Sequence, residues 1–277
     1  MTSLVPNRDE APPSASARYW VRAVERTMQL LGAVAEDGGR PKTLSEVARR
    51  AGMPESSALR YLATLAELGF VEHELGGEQG RYRLGVALFS VAERAIGNPD
   101  LRGLALPHMQ LLLERYEETV NLAVFRQKRL VIIEVLEGLR SIRQGARVGE
   151  QDRLRSTALG KAILATYPDE EALELLHTEP IVQCTLRTIT EDKDMLRELK
   201  SIRARGYAID DEESEVGLRC VGVAREVQPG HAFGLSVSGP SHLFTRQVAR
   251  EAGPTLCSIR DKLMSQLSTN GRLRSVR

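Results

Sequence analysis

Residues 43–85 read TLSEVARRAGMPESSALRYLATLAELGFVEHELGGEQGRYRLG. Thr43 and Glu46 have the spacing of a capping box, in which each side chain satisfies a backbone N–H at a helix start. Leu44, Val47, Ala48 and Ala51 follow at i, i+3, i+4 and i+7, one apolar face. Gly52 then stands where a left-handed residue closes a helix, and Pro54 where a second helix begins. That second helix is expected over about 54–68, with Ala58, Leu62 and Leu65 inward. Ser56, Ser57, Arg60, Tyr61 and Thr64 are left on or near its other side. Two short runs, 70–73 and 81–84, flank a Gly-rich tip at Gly76, Gly77 and Gly80, the pattern of a β-hairpin. Helix, tight turn, helix, hairpin is the order of a winged helix-turn-helix, and duplex DNA is the partner it implies.

The chemistry of the exposed residues fits that partner. Short hydroxyls at a helix start approach phosphates or base edges, and an arginine on a groove-facing helix grips guanine bidentately. Thr43, Ser56, Ser57, Arg60, Tyr61 and Thr64 are therefore candidate DNA contacts. Arg81 and Arg83 on the hairpin either meet the phosphate backbone or are plain exposed strand residues. From Arg18 to Gly85 there are ten basic and nine acidic residues, a net of +1. Phosphate neutralisation supplies most non-specific affinity, so a single copy is expected to bind weakly. Oligomerisation and one-sided placement of charge have to make up the difference.

Working outward, residues 19–36 form a supporting helix, with Val24, Met28, Leu31 and Ala35 expected to face inward. Residues 86–96 read as a short linking helix, broken at Gly97–Asp100. A long helix is expected over 101–118. Strand-like composition follows at 120–126, 130–136 and 142–148, then helices at 160–166, 169–176 and 192–205. Further strands are expected at 207–210, 220–223 and 232–238, and a closing helix over 244–267, interrupted near Gly253 and Pro254. Interleaved strands and helices imply an α+β domain around a curved antiparallel sheet.

The 277 residues suffice for two cores, and 42% hydrophobic with 27% charged residues is the balance of a soluble globular chain. No apolar run approaches the roughly 18 residues of a membrane helix. The Pro/Ser-rich start lacks a signal peptide's basic and apolar regions, so a cytoplasmic location is expected. Cys184, Cys220 and Cys257 are far apart and form no Cys-x-x-Cys pair, and the five histidines are scattered. Neither a metal nor another cofactor is expected.

The chain resembles the IclR family of bacterial transcriptional regulators. The resemblance runs from Val21 to about Leu267. It is carried by RAVERTMQLL at 22–31, TLSEVARRAG at 43–52, YRLG at 82–85 and TALGKAILA at 157–165, with GYAIDDEESEVGLRC at 206–220 and LSVSGP at 235–240. It implies a winged helix-turn-helix domain (18–85), a linker helix (86–98) and a GAF-like effector-binding domain (99–270), between disordered tails (1–17 and 271–277). It further implies a homodimer or dimer of dimers on a roughly palindromic operator. The effector is expected to be a small organic acid or aromatic catabolite, and control of catabolic genes the outcome, with the sign of regulation open and repression slightly favoured over activation.

Carried over by residue, the resemblance places the effector against Ala158, Leu159, Asp210, Cys220, Ser236 and Ser238. Ser236 and Ser238 alternate by two and face one side of a strand. Ala158 and Leu159 precede an expected helix start, whose free N–H groups welcome an anion. Asp210 adds an acceptor. On the residues alone, the serines equally serve nearby backbone and Asp210 equally caps a turn. Family members commonly carry His at the position of Arg155; a guanidinium there favours an acidic ligand or serves the surface. Two other functions compete: an enzyme using Cys220 as nucleophile, for which only His231 stands near in sequence, and a constitutive DNA-binding protein whose second domain only oligomerises.

Overall fold

The computed structural model describes residues 19–74, 80–96, 99–138 and 146–269. Both expected tails and the hairpin tip at Gly76 and Gly77 lie outside them. The chain divides into two compact units, residues 1–97 and 98–277.

In the first unit, helix α1 (Arg22–Ala35) is followed by a short strand β1 (Lys42–Thr43), then α2 (Leu44–Arg50) and α3 (Glu55–Glu67). Strands β2 (Val71–Glu74) and β3 (Arg81–Leu84) and helix α4 (Ala87–Ile96) complete it. The capping box is formed in full: Thr43 Oγ1 accepts from Glu46 N at 3.3 Å, and Glu46 Oε2 accepts from Thr43 N at 2.9 Å. Gly52 has φ +62°, so the turn between α2 and α3 uses the left-handed conformation glycine adopts without strain. Pro54 is the residue before α3 rather than its first helical position, with ψ 143°. The wing is antiparallel, order β1-β3-β2, with His73 opposite Tyr82 and their rings stacked 4.4 Å apart.

The inward stripe of α1 differs from the expected one. Leu30, Leu31, Ala33 and Val34 are buried against α2 and α3, while Val24 is 61% and Met28 42% exposed. Helix α1 carries two apolar stripes, and only its C-terminal half meets the core of its own unit. Lys42, fully buried, closes that end: its ammonium donates to Val34 O at 3.0 Å and also to Glu36 O and Arg40 O. A cation at helix-terminal carbonyls satisfies acceptors the helix cannot.

The second unit opens with α5 (Pro99–Tyr116), β4 (Thr119–Arg126) and β5 (Arg129–Leu136). Then come β6 (Gln151–Asp152), α6 (Ala158–Leu164), α7 (Asp169–Leu176) and α8 (Asp192–Arg205). Strands β7 (Ala208–Asp211), β8 (Leu218–Gln228) and β9 (His231–Pro240) and helix α9 (Arg246–Thr269) end it. The sheet is a curled antiparallel one of order β6-β5-β4-β9-β8-β7. Of the strand expected at 142–148, residues 142–145 lie outside the described residues and 146–148 form no strand; β6 pairs instead, at Leu130↔Asp152 and Val131↔Gln151. Strand β8 runs well past the expected 220–223, because it forms a long hairpin with β9 from Leu218↔Pro240 to Gln228↔His231.

The closing helix is continuous through Gly253 and Pro254. Gly253 is there for closeness: a Cβ on it would lie 2.5 Å from the Tyr207 ring. The same device seats α6 on the sheet. A Cβ on Gly222 would meet the Ala158 carbonyl carbon at 2.9 Å, and one on Gly234 would meet Leu159 Cδ2 at 2.8 Å. Two glycines on neighbouring strands therefore let the first turn of α6 rest on β8 and β9.

Candidate DNA interface and effector pocket

Helix α3 buries Ala58, Leu62 and Leu65 and leaves Ser56, Arg60 and Thr64 exposed, with Ser57 half-buried. Thr64 Oγ1 donates back to Arg60 O at 3.0 Å. Tyr61 is half-buried and packs against the unit's core instead of projecting freely. Thr43 is occupied as the cap of α2. On the wing, Arg83 is drawn into pairs with Glu72 at 2.6 Å and Glu74 at 3.0 Å, which cancel its charge locally. Arg81 is exposed and reaches only Pro41 O, at 3.4 Å. Among the described residues the side chains of Ser56 and Arg60 have no hydrogen-bond or salt-bridge partner, while Thr64 and Arg81 each donate once to a backbone carbonyl.

In the second unit, cross-strand register assembles a row on the sheet face that carries α6. Asp210 lies opposite Cys220, Cys220 opposite Ser238, and Ser238 opposite Thr119; one step along, Gly222, Ser236 and Asn121 align. Asn121 Nδ2 donates to both Ser236 Oγ and Ser238 Oγ, at 3.3 Å each, so both hydroxyls face one side as expected from their spacing. Asn121 is 5% exposed and its Oδ1 has no hydrogen-bond partner among the described residues. Ser238 keeps some accessible surface even though β9 is flanked by β4 and β8.

The acids divide into two kinds. Asp210 is fully buried and caps the turn after β7: its Oδ1 accepts from Glu213 N at 2.8 Å and Ser214 N at 3.2 Å, and its Oδ2 from the Ser214 hydroxyl. Burial raises its carboxyl, opposed by those donors and by Lys161. Its side chain caps a turn, one of the two roles its sequence allowed. Asp152, on edge strand β6, is the accessible one. Its Oδ1 accepts from Arg153 N at 2.9 Å, yet the surrounding protein pushes its carboxyl up to about 7, helped by the charges of Asp210 and Glu150. Burial, then the charges of Asp210 and Asp152, raise the Cys220 thiol well above its ordinary value. A nucleophilic thiol needs the opposite shift. His231 lies at the far end of the β8–β9 hairpin, opposite Gln228.

Ala158 and Leu159 are not ahead of α6 but in its first turn, with Thr157 as the cap: Thr157 Oγ1 accepts from Gly160 N at 3.0 Å. Leu159 belongs to the core. Inside the same helix, Lys161 is fully buried and donates to Ile209 O at 2.7 Å and to Glu213. Arg155 points away from the row, to Ile189 O, Thr190 O and Asp192 at 3.4, 3.0 and 3.1 Å. It adds no cation above Ser238. Sequence reasoning missed Asn121, Asp152 and Lys161. The one signal was polarity inside apolar runs, TVNLAVFR and ALGKAIL, since a buried polar group demands a partner.

A helix-turn-helix unit followed by a mixed unit with a polar row beneath a seated helix is the build of a DNA-binding transcriptional regulator. Residues 23–75 match the family model of the IclR helix-turn-helix domain, and residues 93–262 that of the bacterial transcriptional regulator IclR C-terminal domain. The chain belongs to the IclR family. It is 32% identical over 260 residues to the HTH-type transcriptional regulator KdgR of Escherichia coli, covering 94% of this chain and 95% of that one. The solved IclR of Thermotoga maritima has a TM-score of 0.73 at 32% identity, covering 89% and 98%. An IclR homolog of Microbacterium hydrocarbonoxydans, solved with 4-hydroxybenzoate, shares the fold at a TM-score of 0.74 and 24% identity, covering 88% and 99%. Among the described residues no helix is long and apolar enough to cross a membrane.

Proposed function

We propose that the protein binds a roughly palindromic operator as a homo-oligomer, with α3 in the major groove, and that a small organic effector seated over Asn121, Cys220, Ser236 and Ser238 alters operator affinity. The observation carrying the effector reading is Asn121, a buried amide whose Nδ2 ties both serines while its Oδ1 meets no donor among the described residues. An unmet buried acceptor is costly, and a ligand that supplies a donor removes that cost. The double change Ser236→Ala with Ser238→Ala is expected to abolish effector response in gel-shift assays while ligand-free operator binding stays as in the wild type. Unaltered effector response in that variant refutes the placement.

Arg60 is the arginine of α3 and no salt bridge holds it among the described residues. Arg60→Ala is expected to weaken operator binding by about 1–3 kcal/mol and random-sequence binding far less. Equal losses on both assign Arg60 to phosphate instead. The oligomer reading rests on apolar surface that the first unit leaves open: Val21, Val24 and Met28 on and before α1, and Phe89 and Val91 on α4, Phe89 being 65% exposed. Leu88 anchors α4 on the core, so these neighbours face outward. Sedimentation is expected to give at least a dimer at micromolar concentration, and Phe89→Asp to shift it toward monomer. A monomeric wild type with full operator affinity contradicts this.

A further inference from the structure

Asp152 is an acidic side chain with no countercharge among the described residues. It stands on edge strand β6 opposite Leu130, a fully buried core residue, so it shares that residue's face of the sheet, the α6 side. Its Oδ1 accepts from the Arg153 backbone N–H at 2.9 Å, and no cation pairs with it among the described residues. The nearby cations are turned elsewhere. Arg153 donates to Cys184 Sγ at 2.7 Å, Arg155 to the segment before α8, and Lys161 to Ile209 O and Glu213. Asp210 adds a second acid within electrostatic reach, and Glu150 a third. Across the sheet, Asn121 Oδ1 is a buried acceptor without a donor among the described residues. Beside the Ser236 and Ser238 hydroxyls, the groups left over on this face are acids and an acceptor, and among the described residues no side-chain cation is turned onto them.

A carboxylate held this way against desolvation and like charges is stabilised by any cation that enters. We infer that the effector carries a protonated amine, and that Asp152 is the residue selecting it: the ligand class is an amino-bearing organic molecule, its ammonium on Asp152 and its remaining polar groups on the Asn121–Ser236–Ser238 row. This rests on the effector reading above and narrows it, since a simple carboxylic acid is repelled by Asp152 where an amino acid or amine is drawn in. Asp210, buried behind its own turn, sets the negative potential without touching the ligand.

The experiment is titration calorimetry on the full chain with matched probes that differ only at nitrogen: alanine against lactate, and 4-(aminomethyl)benzoate against 4-methylbenzoate. Expected is that one amine of the two pairs binds at least about tenfold more tightly than its counterpart, the scale of a charged hydrogen bond. Asp152→Asn is expected to erase that preference and Asp152→Glu to keep it, with thermal melts confirming that both variants fold. Ser236→Ala with Ser238→Ala is expected to weaken both members of the pair. Preference for the acid or alcohol member, indifference of amine affinity to Asp152→Asn, or no amine binding at millimolar concentration overturns the inference. Probes that bind but ignore the serine substitutions overturn the effector reading itself, so the two failures are told apart.

Discussion

Replacing Lys161 by methionine is expected to destabilise the second unit by about 3–5 kcal/mol, the scale for breaking a buried ion pair from one side. The ammonium is fully buried in α6, bonded to Ile209 O at 2.7 Å and to Glu213. Its removal strands both acceptors, and Glu213 Oε2 is already without a partner. The loss is relieved where Glu213 takes a proton. Burial raises that carboxyl to about 7 even with Lys161 opposing the shift, and without Lys161 it rises further. An acid whose folded value lies above its unfolded one favours the folded state at low pH and loses that contribution as pH rises. The deficit of Lys161→Met is therefore smaller near pH 6 than near pH 8, and the further change Glu213→Gln recovers part of it at the higher pH. Urea unfolding at both pH values checks this; a deficit independent of pH means Glu213 is not the stranded group.

The second large effect has the opposite direction. Burial pushes the Asp152 carboxyl up to about 7 from an ordinary value of 3.8, so its ionisation opposes folding. The contribution is fully favourable below about pH 4 and is lost as pH climbs through 7. Asp152→Asn is expected to stabilise the ligand-free protein at pH 8 and to bring no gain near pH 4. The ceiling on that gain is about 4 kcal/mol, since a tenfold change in proton affinity between the folded and unfolded states is worth about 1.4 kcal/mol. Partial solvent access to the side chain reduces that ceiling. Melting curves of both proteins across this range decide it, and a variant less stable at pH 8 contradicts the assignment. Stability gained by deleting a binding group is the usual exchange at functional sites.

The first unit is legible in the sequence because its signals are local. Thr43 with Glu46, Gly52 and Pro54 act within four residues of where they stand, and α2 and α3 begin and end by them. Val24 and Met28 face outward against expectation because α1 has two apolar stripes, and periodicity does not say which one meets its own core. In the second unit, α7 and α8 are readable from their charge and apolar spacing. Strand β6 is not, since a two-residue strand has no period to detect. The break expected at Gly253 and Pro254 reflects residue preferences alone, whereas packing of Gly253 on Tyr207 keeps α9 whole. The alternation of Ser236 and Ser238 is plain, but Asn121 joins them only through pairing of β4 with β9, and Asp152 reaches the same face only through β5. Such neighbours are set by register between distant segments, which no local pattern encodes.

That register also sets an order of events in time. The two central strands of the six-stranded sheet, β4 and β9, pair Thr119 with Ser238 and Phe125 with Ala232, partners more than 100 residues apart in the chain. Contacts of such separation form slowly, because a long loop must close before they reward it. The helix-turn-helix unit is made first and rests on short-range contacts, from a capping box to a four-residue hairpin register. During synthesis at about 5–20 residues per second, the nascent chain therefore holds a folded DNA-reading unit several seconds before β9 emerges to complete the sheet. For that interval, the newborn chain holds its DNA-reading unit with its effector site still unbuilt.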